Sequence, residues 1–165
     1  MIRPALAFIV LILAIDAAAA QNWRSYRNVR FGTVADVPRD WRAGRPPENA
    51  DGLEFSSPDG QASVTVSGGL HIWDTIGEAM EIMESPGDGA TVMDRHRSKR
   101  VLVVSGTRGA KIIYRKSILS CRDQIWNSVS VEYPTDRKLD YDALVAHVAG
   151  SLRFSGASAQ IPDCK

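Results

Sequence analysis

The sequence predicts an α+β protein: a central antiparallel β-sheet with about two helices packed on it. Three observations carry this expectation. Residues 62–67 and 125–133 alternate apolar and polar side chains with a period of two. Residues 73–84 and 137–153 carry apolar residues at helical spacing. Between them, 90–133 is rich in β-formers and broken by turn residues, as in a strand meander.

The elements follow in order. Residues 25–29 and 32–36 read as a hairpin bent at Phe31-Gly32, and Pro38, which has no N–H for a ladder, ends it. Residues 39–52 collect Gly44, Pro46, Pro47, Asn49 and Gly52, which makes them a loop. A strand at 53–56 meets the turn Ser57-Pro58-Asp59-Gly60, with proline preset at its second position. Ala62, Val64 and Val66 then alternate with Ser63, Thr65 and Ser67, and Gly68-Gly69 is expected to break this strand. Ile72, Ile76, Ala79, Met80 and Met83 form one helical face, with Thr75 and Glu78 spaced as a capping box. Further strands are expected at 101–104 and 111–119, with turns at 105–109 and 121–124. Tyr141, Leu144, Val145, Val148 and Leu152 mark the apolar stripe of the last helix.

The chain has 165 residues, 20 Lys+Arg against 19 Asp+Glu, a net charge of +1 and 44% hydrophobic residues. These values exclude a disordered chain, a collagen and a multi-span membrane protein. The near-cancelling charge argues against a surface built throughout for nucleic acid. Residues 1–20 carry Arg3, an apolar run over 5–15 and Ala18-Ala19-Ala20, the three parts of a secretory signal peptide. The run is too short to stay in a bilayer as a spanning helix, which needs about 20 apolar residues. The expectation is therefore cleavage near Gln21, a single mature α+β domain over 21–165, no stable membrane insertion, and a periplasmic or secreted location. In an oxidising compartment Cys121 and Cys164 are expected to form a disulfide.

Tyr26-Arg27-Asn28-x-x-Phe31-Gly32 followed by Val37-Pro38-x-x-Trp41, with the later meander and a final helix ending Ser151-Leu152, resembles the PsbP-like superfamily. That superfamily includes the Ran-binding Mog proteins and the bacterial DcrB proteins. Closer still, the chain resembles periplasmic proteins of alphaproteobacteria. The resemblance implies an α/β/α sandwich and a binding or accessory role rather than enzyme chemistry.

The residues themselves assemble no enzyme. G-x-S-x-G, S-x-x-K, H-E-x-x-H, the P-loop and the EF-hand loop are all missing. Gly87-Asp88-Gly89 follows a helix and precedes a strand, the reverse of a dinucleotide site. His71, Asp74 and Glu78 are read as a junction and an acidic first turn rather than a metal set. Glu48, Asp51, Glu54 and Asp59 are read as turn residues rather than a calcium loop. His147 is placed on a solvated helix flank near Asp140. No cofactor and no metal are expected. Trp23-Arg24-Ser25-Tyr26-Arg27-x-x-Arg30 interleaves bases with aromatics, and Trp23 and Tyr26 are expected to plug the core edge. The denser basic run supplies the candidate contact strip: Arg95, Arg97, Lys99 and Arg100, suited to an anionic envelope component or an acidic protein. The functional expectation is a non-catalytic binding or accessory module of the cell envelope. The alternative is a small periplasmic hydrolase whose active site leaves no motif.

Overall fold

The computed structural model describes residues 22–164 apart from 86 and 88. The expected cleavage at 1–20 falls outside these residues. The elements are β1 Trp23–Asn28, β2 Thr33–Pro38, β3 Arg42–Ala43, β4 Gly52–Ser56, β5 Ser63–Leu70, α1 Ile76–Met83, β6 Ala90–Ser98, β7 Val101–Arg108, β8 Lys111–Ser120, β9 Ile125–Pro134, α2 Lys138–Ser151 and β10 Arg153–Phe154. Seven strands form an antiparallel sheet in the order β3-β4-β5-β9-β8-β7-β6, and β1-β2-β10 form a second, three-stranded sheet.

Alternation decides what each face of the large sheet packs against. Val64, Val66, Val129, Val131 and Tyr133 share a core with Tyr141, Leu144, Val145 and Val148 of α2 and with Ala35 and Val37 of β2. The opposite face carries α1, whose Ala79 and Met80 pack on Leu102, Val104, Leu119 and Trp126. Helices thus lie on both faces, as the α+β expectation requires.

Several boundaries differ from the sequence reading, each for a physical reason. Gly68-Gly69 does not break β5, and Gly106 lies inside β7 rather than in a turn at 105–109. Both glycines admit a close neighbour instead. A Cβ on Gly68 would lie 2.3 Å from the Cβ of Phe31, and one on Gly106 would lie 2.3 Å from the Thr91 carbonyl oxygen. The first helix begins at Ile76, which leaves Ile72 outside it and 75% exposed. Thr75 caps it by accepting from the Glu78 N–H at 3.1 Å, but the Glu78 carboxylate accepts from the Asp74 N–H rather than closing the box on Thr75. The last helix is preceded by a 3-10 turn at Thr135–Arg137 and spans 138–151. The loop 39–52 holds the two-residue strand β3.

The Cys121–Cys164 disulfide is present and ties the β8–β9 turn to the segment beyond α2. Cys121, Arg122 and Asp123 all adopt left-handed backbone, φ +55°, +52° and +67°, which non-glycine residues rarely do. The bridge and the Arg100–Asp123 ion pair hold that turn from two sides.

A buried amide joins the two sheets. Asn127, fully buried on β9, donates to the Phe31 carbonyl at 3.1 Å and to Thr33 Oγ1 at 2.7 Å. Its own carbonyl accepts from Ser120 Oγ.

Candidate functional site

The large sheet is wider than the elements that cover it. Six inter-strand steps of about 4.8 Å span about 29 Å, whereas one helix covers about 10 Å. On the α2 face, α2 and the small sheet lie over β4, β5, β9 and part of β8, and the β6–β7 end is left open.

There α2, β8, β7 and β6 enclose a cleft of about 610 Å3. Its floor follows from register: Ile112 pairs with Thr107, and Tyr114 pairs with Ser105, so their side chains share one face. Val145, Asp142 and Lys138 of α2 form one wall, with Tyr133 at its foot. Met93 and Asp94 of β6 form the other. Met93 is the extra residue of a β-bulge and is 72% exposed, so its thioether stands at the mouth. The surface inside is mainly hydrocarbon and aromatic. Lys138 and Asp142 close on each other at 2.7 Å on the rim. Burial raises the Tyr114 and Tyr133 hydroxyls above the ordinary tyrosine range, so both stay neutral donors at physiological pH. The Tyr114 hydroxyl has no protein partner among the described residues. Such a surface suits an apolar or aromatic group that can take one hydrogen bond.

The basic run begins on the same strand β6, where Arg95 and Arg97 share one side of the pleat, and ends with Lys99 and Arg100 in the β6–β7 turn. Arg95 and Arg97 turn to the α1 face, and both reach Glu84, the C-terminal cap of α1. Arg95 Nη1 donates to Glu84 Oε2 at 3.1 Å, and Arg97 Nε donates to Oε1. The Arg97 hydrogen bond outweighs burial and, with Arg95, holds the Glu84 carboxyl below the usual glutamate range. Arg100 pairs with Asp123 at 2.5 Å, and Lys99 has no ion-pair partner among the described residues. Four cations against two carboxylates leave a smaller local charge than the sequence run suggests.

The histidines find other partners than expected. His147 lies near Asp36 of β2, not Asp140: its Nε2 is 3.1 Å from the Asp36 carboxylate, and its ring stacks on Trp23 at 3.8 Å. Asp140 is taken by Arg137. His71 Nδ1 accepts from the Trp126 indole N–H at 3.1 Å. No serine hydroxyl lies within hydrogen-bonding distance of a histidine ring among the described residues. The four acidic turn residues disperse: Asp59 is held by Ser57 and Arg137, Asp51 by Asn49, Glu54 stands on β4, and Glu48 is exposed in the loop before it. Trp23 and Tyr26 pack against the main core from its edge, as expected. Arg24 lies over the Phe55 ring at 5.1 Å and Arg30 over Phe31 at 4.8 Å, so these bases cover core aromatics.

The cleft residues Ile112, Tyr114, Thr107 and Val145 went unrecognised as a group in the sequence. The available signal was a count: two helices and one hairpin are too little cover for so many strands.

The backbone is similar to two solved structures. Cyanobacterial PsbP (CyanoP) from Synechocystis sp. PCC 6803 matches over 87% of this chain and 98% of its own, at 12% identity and a TM-score of 0.59. The Ran-binding protein Mog1p from Saccharomyces cerevisiae matches over 82% of this chain and 97% of its own, at 10% identity and a TM-score of 0.54. The chain therefore has a PsbP/Mog-like fold. No family model and no curated protein matches it.

Proposed function

We propose that residues 21–165 form one exported, non-catalytic binding or accessory module of the cell envelope. It holds a protein partner by taking one of that partner's apolar side chains into the cleft between α2 and β6. The observation that carries this reading is the hydrocarbon floor of Ile112 and Tyr114, which α2 leaves uncovered. The fold lends support, since the neighbour Mog1p is described as a Ran-binding protein. The disulfide and the first twenty residues support an oxidising destination. The strip Arg95, Arg97, Lys99 and Arg100 lies away from the cleft, on the α1 face of β6 and in the β6–β7 turn, and we assign it a separate acidic contact of the same partner.

A photoreactive residue at Thr107, on the cleft floor, tests this. It should yield a discrete protein adduct in envelope preparations, and the same group at Arg45, in the exposed loop before β4, should not. Adding Met93→Arg at the mouth should remove the adduct. Identical adducts from both positions would refute the cleft. Saturable turnover of an ester, peptide or glycan by the purified protein would refute the binding-only reading. The strip has its own test, a Lys99→Gln/Arg100→Gln variant that leaves Glu84 paired. The captured partner should bind this variant more weakly at low salt, and the difference should shrink as salt screens it over about 8–10 Å. Equal binding at low salt would remove the strip.

A further inference from the structure

The face opposite the cleft holds a second recess, built from polar side chains. Cross-strand register places Glu54, Thr65, Ser130 and Arg115 in one row across β4, β5, β9 and β8. The adjoining row puts Ser67 beside Ser128. Four hydroxyls thus form a two-by-two patch at the middle of the sheet, beside the C-terminal end of α1, whose Met83 lines the recess. The volume is about 350 Å3, inside the range of about 300–1,000 Å3 of small-ligand sites.

The donors in this recess are not all used. Arg115 is half-buried and has no carboxylate partner among the described residues. Its Nη1 donates to the Met83 and Ser85 carbonyls at the end of α1, both at a long 3.4 Å. That contact explains why the side chain is held there, and it leaves Nε and Nη2 without protein partners among the described residues. Among the described residues the hydroxyls of Thr65 and Ser130 likewise have no partner, whereas Ser128 bonds Ser117 at 2.7 Å. Two carboxylates belong to the same recess and constrain the ligand. Glu132 is held by Arg108 at 3.1 Å. Glu54 stands exposed three strands from Arg115, a separation of about 14 Å between backbones.

We infer that this recess binds a small hydroxylated anion, a sugar bearing a carboxylate or phosphate. Its anionic group lies on Arg115 and Ser130, and its hydroxyls lie over the serine–threonine patch toward Glu54. Arg115 offers a planar pair of N–H groups that matches a carboxylate or a phosphate edge. Serine and threonine hydroxyls both donate and accept, as sugar hydroxyls do. Glu54 accepts from a hydroxyl and repels a second anion, so the site has a direction. Loss of hydration and the nearby Arg108 both press against the charged form of Arg115, so an incoming anion relieves an existing cost.

The test is titration of the isotope-labelled protein with glucuronate, glucose 6-phosphate and glucose, following the backbone amides of Thr65, Arg115 and Ser130. At least one anionic sugar should give saturable shifts at these positions, with the neutral sugar at least fivefold weaker. Glucuronate binding alone identifies a carboxylate ligand, and glucose 6-phosphate binding alone identifies a phosphate; either supports the site. Arg115→Gln should raise Kd at least tenfold. Thr65→Val/Ser130→Ala, which leaves the α1 contact of Arg115 in place, should raise it severalfold and keeps the test valid if the first variant fails to fold. No saturable shift with either anion, an equal response to glucose, or unchanged affinity in the double variant would overturn the inference.

Discussion

Glu84→Gln is the sharpest probe of how the β6 edge is held. Glu84 is a buried carboxylate at the C-terminal end of a helix, where the dipole disfavours negative charge by about 0.3–1 kcal/mol. Only its two arginine contacts make that position tolerable. Hydrogen bonds to charged groups contribute about 1.5–3 kcal/mol each when protected from water. The arginine side chains are 57% and 42% exposed against 8% for Glu84, so released guanidinium groups regain much of their hydration. Glutamine keeps one neutral acceptor, turns its amide N–H toward a second donor, and relieves the dipole. The net cost is about 1–2 kcal/mol at pH 7, or a fall in Tm of about 3–8 °C for a chain of this size. Because folding lowers this carboxyl's pKa, its contribution is complete above the ordinary glutamate value of about 4.3. It is lost as pH falls through that value to the lower folded one. Urea unfolding of wild type and variant at pH 7 and pH 3 measures both effects. Equal stability at pH 7 would refute the argument, and so would a deficit that stays the same at pH 3.

Other outcomes follow from the same structure. Thiol titration of the oxidised, denatured protein should find neither Cys121 nor Cys164 free; reduction should destabilise the fold by about 4 kcal/mol, the loop-entropy value for a separation of 43 residues. Asn127→Leu should cost at least about 2 kcal/mol in urea unfolding, because the buried Phe31 carbonyl and Thr33 Oγ1 both lose their amide donor; a neutral result would mean that the sheets are joined by packing alone. N-terminal sequencing of exported material should begin at or near Gln21, and a cytoplasmic chain retaining Met1 would refute export. Replacing Arg95, Arg97, Lys99 and Arg100 together by glutamine should lower stability at least as much as Glu84→Gln, since both partners of Glu84 are lost.

Periodicity made most of the fold legible. The stripe Tyr141, Leu144, Val145, Val148, Leu152 is buried as its spacing demands, and Val129, Val131 and Tyr133 face the core while Ser128, Ser130 and Glu132 do not. What failed was punctuation. Gly68 and Gly106 look identical in sequence to turn glycines, and only the approach of Phe31 or Thr91 from a distant element reveals their use. The sites were less legible because each depends on a neighbour from another element. Glu84 lies 13 residues from Arg97, and Asp36 lies 111 from His147, so neither pairing has a local signature. A basic run such as 95–100 shows its charge in sequence but not that Arg95 and Arg97 share one carboxylate on α1 while Lys99 and Arg100 fall in the turn after β6.

The small sheet has a bearing on the order of events during folding. Strand β2 needs β10 as its outer neighbour, and the Asp36 N–H is completed by Ser151 Oγ, 115 residues away. The meander β6–β9 has only short closures and is able to assemble early. The β1–β2 hairpin must wait, with Ala35 and Val37 uncovered, until residues 138–154 have been made and have closed a very long loop. A growing chain therefore cannot complete this fold from its leading end. It stays open until residues 138–154 have been made and have reached β2.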